Sequence, residues 1–127
     1  MKIIGNGVDI VDNLRIKKAI KNDNFIKRIY SNSEIKDSKK NRNKVNFFAK
    51  RFAAKEAFVK ALGTGLSDKI TLKDISVIND KLGKPSFFIS KKIKTLIKKQ
   101  FMINSFNFFL SIADEKKYSI AFVVFQK

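Results

Sequence analysis

The chain has 127 residues, 44% of them hydrophobic, and its 28 Lys and Arg residues against 11 Asp and Glu residues give a formal charge of +17. Cysteine and histidine are absent, which excludes disulfides, thiol nucleophiles, imidazole bases and metal sites built from those side chains. Any bound metal must have oxygen ligands, which favours Mg²⁺ over zinc or copper. The length fits one domain over residues 1–127, and the absence of an apolar segment of membrane-spanning length predicts a cytoplasmic protein with no membrane contact.

The charge alone does not identify a partner. All but four of the basic residues are lysines, and they are scattered along the chain. A lysine-rich nucleic-acid-binding domain is therefore one hypothesis. The phenylalanines, however, fall mainly at apolar strand and helix positions, which indicates core packing rather than base stacking. Nucleic acid stays the less favoured alternative.

The first third of the chain predicts a strand followed by short helices. Residues 2–11 are apolar and β-branched around two glycines, which is typical of a strand. Asp12 can cap a short helix after it, and residues 25–30 predict a further helical turn. Ser31 and Glu34 have the spacing of a capping box, whereas residues 36–44 are rich in lysine and asparagine and are expected to be exposed and loosely ordered.

The rest of the chain predicts a long helix and two hairpins. Apolar residues recur at helical spacing over residues 45–62, and Gly63 is expected to end this helix. An amphipathic helix is predicted around Ile93 and Ile97. Two hairpins are predicted, from residues 75–78 with 86–89 and from residues 106–112 with 118–125. The order predicts an α+β fold in which a mostly antiparallel sheet packs against the long helix and shorter helices.

Two carboxylates interrupt otherwise apolar patterns. Glu56 shares one helical column with two phenylalanines and Lys60, and Asp9 interrupts the first strand. An ionised carboxylate on an apolar face is costly unless a cation or hydrogen-bond donors compensate it, so the two acids are candidates to bind one Mg²⁺. A simpler structural role stays open for each acid: Glu56 forms an ordinary ion pair with Lys55 or Lys60, and Asp9 caps the next element.

Basic residues and a glycine-containing turn accompany Glu56. Arg51, Lys55 and Lys60 are candidates to contact phosphate oxygens. The turn Gly63-Thr64-Gly65 can offer backbone amides and a hydroxyl to the same anion, although such a turn is equally typical of a helix end.

These motifs resemble one known family. The segment GVDIV at residues 7–11, then Arg15, then RFAAKEAFVKALGTG at residues 51–65 are similar to the holo-[acyl-carrier-protein] synthases, the small bacterial class of 4′-phosphopantetheinyl transferases. Agreement in order and spacing continues to the last strand. The resemblance implies transfer of 4′-phosphopantetheine from coenzyme A to a serine of apo acyl carrier protein, release of adenosine 3′,5′-bisphosphate, and a role in fatty acid biosynthesis.

The same resemblance implies residue roles. Asp9 and Glu56 become Mg²⁺ ligands, Lys60 stabilises the leaving phosphate, and either Glu56 or a metal-bound water deprotonates the serine. Coenzyme A is expected to contact Arg51, Phe52, Lys55, Lys60, Gly63, Thr64, Gly65 and Ser111. The acidic carrier protein is expected to contact Arg15, Lys18 and Lys21, and the family implies a homotrimer with active sites between subunits.

One position departs from the family pattern near the expected phosphates. Asp114 stands where family members usually carry a histidine, which places a negative charge near the expected phosphates. Both expected metal ligands are present, so we expect an active enzyme. A degenerate synthase kept as a carrier-binding module is a further alternative.

Overall fold

Five strands and five helices make up the computed structural model, which describes residues 1–127. Their bounds are β1 (Ile3–Asp12), α1 (Asn13–Ala19), α2 (Asp23–Ile29), α3 (Asn32–Ser38), α4 (Lys44–Leu62), β2 (Ile75–Asn79), β3 (Pro85–Ile89), α5 (Lys91–Phe101), β4 (Asn107–Asp114) and β5 (Tyr118–Gln126). Two short 3-10 turns connect α4 to β2. None of the helices combines the length and the apolar character that crossing a bilayer requires.

Helix α4 packs on one face of a three-stranded antiparallel sheet. The strand order in this sheet is β1-β5-β4, and β2 and β3 form a separate hairpin. An aromatic cluster joins the hairpin to the sheet, because the ring of Phe58 on α4 lies 5.0 Å from that of Phe87 and 4.3 Å from that of Phe108. The predicted α+β fold is therefore confirmed.

Strand β1 and helix α4 approach each other so closely that only glycine fits between them. A Cβ atom placed on Gly7 would lie 2.1 Å from the carbonyl oxygen of Ala57, and one on Gly5 would lie 2.2 Å from that of Ala61. The facing side chains of α4 are small and buried, since Ala57 is fully inaccessible. Successive side chains alternate across a strand, so Asp9 projects toward α4 from the same face as Gly7.

A buried ion pair fixes α4 against the rest of the helices. Lys55 on α4 and Glu34 on α3 pair with 0% and 1% of their side chains exposed. Burial lowers the pKa of the Lys55 ammonium, and the Glu34 carboxylate opposes that lowering. The ammonium also donates to the main-chain oxygens of Ile29, Leu72 and Ile75. Glu34 accepts from the backbone N–H groups of Ser31 and Val77. The pair thus connects α2, α3 and β2 to α4.

The expectation that residues 36–44 are loosely ordered is wrong for residues 36–38, which belong to α3, and for Lys44, which begins α4. The predicted capping box between Ser31 and Glu34 is present and starts that helix. Its last residue, Ser38, is 4% exposed and donates to the carbonyl oxygen of Ile35. The anchor of α3 is the contact of Glu34 with Lys55, which local sequence does not reveal. Residues 39–43 form the exposed connection to α4.

Removing one member of the buried pair is expected to lower the free energy of unfolding more than removing both members does. Lys55→Met should lower the free energy of unfolding by about 3–5 kcal/mol, because it leaves the Glu34 carboxylate buried without a cation. The double variant Glu34→Gln with Lys55→Met should recover part of that loss. Chemical denaturation measures both, together with Glu34→Gln alone and with Lys94→Met, an exposed lysine of α5, as the unaffected control. A double variant that lost the full sum of the two single losses would contradict the pairing.

Candidate active site

Asp9 lies in the middle of β1, opposite Ala121 of β5. Its side chain is 15% exposed, and its Oδ1 atom lies 3.0 Å from the Nζ atom of Lys60 on α4. Lys60 also donates to the carbonyl oxygen of Val8 at 3.1 Å. The alternative that Asp9 caps the next element is wrong, because Asp12 is the N-cap of α1.

Glu56 and Asp9 line the same small cleft, which has a volume of about 210 Å³ and is called the acid cleft here. Burial raises the pKa of the Glu56 carboxyl, the charge of Asp9 raises it further, and Lys60 lowers it in part. Glu56 takes part in neither of the two ion pairs of the chain. The alternative of an ordinary helix ion pair is therefore wrong for Glu56, since Lys55 pairs with Glu34 and Lys60 with Asp9.

The acid cleft has the donor set of an open cation site. Two carboxylates that repel each other and are partly desolvated gain from a shared cation. The structure contains no group of three or more acidic side chains that would enclose a metal completely. Mg²⁺ is typically bound by one or two carboxylates and keeps positions for water or phosphate oxygens, so the residues present fit this ion.

The predicted phosphate-contacting turn directly follows the end of α4 that carries Lys60. Gly63 ends the helix with a φ of +82°, and its N–H donates to the carbonyl oxygen of Lys60 at 3.1 Å. Gly63, Thr64 and Gly65 are all exposed. The structure therefore places Lys60 and the turn together at one end of the helix, where both are accessible to an anion.

Arg51 faces a different cleft, with a volume of about 320 Å³. Its guanidinium donates to Oδ1 of Asn79 at 3.1 Å and stacks 3.5 Å from the centroid of the Phe47 ring. Its Nε atom is buried and has no hydrogen-bond partner. Lys50 and Asp114 line the same cleft, and Asn46 donates a hydrogen bond to Asp114. Arg51 is thus held in a cationic concavity separate from the acid cleft.

The other predicted site residues fall into three groups. Phe52 and Arg15 line the acid cleft, and Lys18 and Lys21 are exposed at the end of α1. Ser111 lies on the face of β4 that points away from α4, so one chain does not bring it to Asp9. The prediction that Lys55 lines the coenzyme A site is wrong, because its ammonium is enclosed with Glu34 in the protein interior.

Sequence reasoning missed the residues that share the Arg51 cleft. Asn79 reaches it from β2, 28 residues away along the chain, and such a contact leaves no local signal. The burial of Lys55 had a signal. It lies seven residues from both Phe48 and Leu62, which are buried on the same side of α4.

Comparison with known proteins agrees with this geometry. The family model described as ACPS, 4′-phosphopantetheinyl transferase superfamily, matches residues 5–123. A holo-[acyl-carrier-protein] synthase of Pelagibacter ubique (strain HTCC1062) is 65% identical over 127 residues, which cover 100% of this chain and 99% of that protein.

Two solved structures have the same fold. The crystal structure of holo-[acyl-carrier-protein] synthase from Neisseria meningitidis superposes with a TM-score of 0.89 at 38% identity and covers 99% of this chain and 100% of that one. The holo-(acyl-carrier-protein) synthase from Bacillus anthracis str. Ames, solved in complex with CoA (3′,5′-ADP), superposes with a TM-score of 0.81 at 35% identity. This match covers 98% of this chain and 97% of that one. The chain therefore belongs to the holo-[acyl-carrier-protein] synthase family of the 4′-phosphopantetheinyl transferase superfamily and is a transferase.

Proposed function

We propose that the chain transfers 4′-phosphopantetheine from coenzyme A to a serine of apo acyl carrier protein, depends on Mg²⁺, releases adenosine 3′,5′-bisphosphate and serves fatty acid biosynthesis. The observation that carries this proposal is the meeting of Asp9, Glu56 and Lys60 at one end of α4. Family membership supports the reaction, and the Bacillus anthracis relative bound to CoA (3′,5′-ADP) supports the donor. A cytoplasmic location stays a prediction from the sequence.

The acid cleft supplies the groups that this reaction needs. Asp9 and Glu56 would hold Mg²⁺, which when bound neutralises charge on the coenzyme A pyrophosphate. Glu56 has a raised pKa, which suits a carboxylate that accepts the proton of the attacking serine hydroxyl. The side chain of Lys60 is 56% exposed, so its ammonium is free to turn from Asp9 toward the departing phosphate and stabilise its charge.

The expected coenzyme A contacts divide between two surfaces. Phe52 lines the acid cleft and the turn at Gly63-Thr64-Gly65 follows the end of α4, whereas Arg51 and Ser111 each line another cleft. One coenzyme A molecule would contact all of them only if a neighbouring copy contributed Arg51 and Ser111. This division supports an active site formed between subunits.

The carrier protein is assigned to the outer side of α1. Arg15 lines the acid cleft, and Lys18 and Lys21 are exposed further along the same segment. Positive side chains beside the reacting groups would attract an acidic carrier and orient it toward the cleft. The serine would then approach Glu56 from the α1 side.

The outer face of the three-stranded sheet supports the homotrimer. This face is apolar although no other part of the chain covers it, with exposed fractions from 38% to 60% for Val8, Ile10, Phe109, Ile120 and Phe122. The side chains are contiguous, because Val8 pairs with Phe122 and Ile10 with Ile120 across β1 and β5. Large exposed apolar patches are uncommon on monomers and typical of subunit interfaces. Copies of this sheet face are the proposed partners.

Oligomeric state tests that assignment. The wild-type chain should elute in light-scattering chromatography at three times its 14.6 kDa mass, and Phe122→Lys should shift it to the monomer, because a charge in the interface must be desolvated. Phe88→Lys is the matched control, since Phe88 is 64% exposed but lies on the separate hairpin. A trimer that survives Phe122→Lys, or a monomeric wild type at micromolar concentration, would overturn the interface.

Carrier mass tests the reaction. With Mg²⁺, coenzyme A and apo acyl carrier protein from the same genome, the carrier should gain the mass of one phosphopantetheine group. EDTA should abolish the gain, and Glu56→Ala should slow it at least about 100-fold, because both a metal ligand and the candidate base are lost. Asp68→Ala removes an exposed carboxylate that does not line the acid cleft and should leave the rate unchanged.

Two outcomes would contradict the proposal. A well-folded wild-type protein that binds the carrier without modifying it would favour the carrier-binding module. A Glu56→Ala variant with the wild-type rate would contradict the role given to Glu56, although the proposed transfer itself would stand.

A further inference from the structure

A second cleft, of about 520 Å³, opens between α2, α3 and the start of α4. Its floor consists of Ile26, Ile35 and Phe48, and Phe48 is 3% exposed. It is separate from the acid cleft, because the two clefts have no lining residue in common. None of the residues assigned to the transfer reaction lines it.

Four lysines surround this apolar floor: Lys27, Lys39, Lys44 and Lys73. None of them takes part in an ion pair, because the two ion pairs of the chain involve only Lys55 and Lys60. One carboxylate, that of Asp23, lines the cleft against these four cations. The cleft therefore combines an apolar floor with an uncompensated positive rim. We call it the lysine-rimmed cleft.

We propose that the lysine-rimmed cleft binds a small amphiphilic anion, a carboxylate that carries an unbranched apolar chain of medium length. The floor would take the chain, and the volume lies within the range of small-molecule sites. Lysine suits the head group, because its stem packs along apolar surface while its ammonium reaches the rim as a mobile point charge.

Other ligands match these residues less well. A small inorganic anion would gain nothing from the apolar floor and would find no buried cation. A nucleotide base would need an exposed aromatic ring to stack on, whereas Phe48 is buried and packs its ring 4.6 Å from that of Tyr30. An acidic protein segment is the remaining alternative ligand. Protection of the rim lysines from acetylation by carrier protein would distinguish this alternative from a small carboxylate.

Calorimetric titration with decanoate tests the proposal on the full-length protein. One decanoate should bind per chain, and acetate and decanol should bind at least about tenfold more weakly, because each lacks one half of the recognition. The variant Lys39→Gln with Lys44→Gln should weaken decanoate binding about tenfold, which corresponds to about 1.4 kcal/mol. Its transfer rate without decanoate should stay unchanged, so failure here and failure of the transfer reaction are distinguishable.

The matched control is Lys94→Gln with Lys98→Gln, which removes the same charge from the exposed face of α5. It should bind decanoate as tightly as the wild type. An equal loss of decanoate affinity in the two double variants would show that the overall positive charge of the protein attracts the anion, and would overturn the proposed site. Decanol that binds as tightly as decanoate would overturn the role of the lysines. If decanoate does not bind and apo carrier protein instead shields Lys39 and Lys44 from acetylation, the cleft docks a protein and the proposal is overturned.

Discussion

The acid cleft depends on how closely helix α4 lies on strand β1. Gly7 allows the carbonyl oxygen of Ala57 to occupy the space where any other residue would have its side chain. Two residues later, the side chain of Asp9 projects from the same face of β1. It pairs with Lys60, which lies one helical turn after Glu56 on α4. A wider spacing between strand and helix would move Asp9 away from Glu56 and Lys60, and the two carboxylates would no longer line one cleft. Gly7 is therefore required to position Asp9 beside Glu56, although Gly7 itself contacts no substrate.

The buried pair of Lys55 and Glu34 sets the rotation of the same helix. Consecutive helical residues point about 100° apart, so an α4 that directs Lys55 into the protein directs Glu56 toward the acid cleft. Burial of an ion pair is expensive, and the backbone oxygens and N–H groups around this one satisfy both partners. The orientation of the candidate base is thus determined by the ion pair of Lys55, which points about 100° around the helix from Glu56. Strand spacing and helix rotation together define where the two acids meet.

Local pattern predicted much of this molecule, and long-range contact accounts for the rest. The first strand, the long helix, the capping box and both hairpins lie close to their predicted places, because periodicity and capping act over a few residues. Asp9 and Glu56 stood out as acids in apolar patterns. The order of residues 36–38 depends on the contact of Glu34 with Lys55, more than twenty residues along the chain, which no local pattern reveals. The burial of Lys55 was missed although its spacing from Phe48 and Leu62 indicates it. Phe58, Phe87 and Phe108 pack their rings together in the core, which agrees with the interpretation that the phenylalanines serve packing rather than nucleic-acid binding.

The central claim is that Asp9 and Glu56 hold one cation together, and divalent-cation binding tests it most directly. Mn²⁺ titrated into the protein with coenzyme A, followed by electron paramagnetic resonance, should show one bound ion per chain. Asp9→Asn and Glu56→Gln should each weaken that binding strongly, because each removes one of the two protein ligands. Asp12→Asn, which keeps a side chain able to cap α1, should bind Mn²⁺ as the wild type does. Unchanged Mn²⁺ binding in both Asp9→Asn and Glu56→Gln would contradict the account.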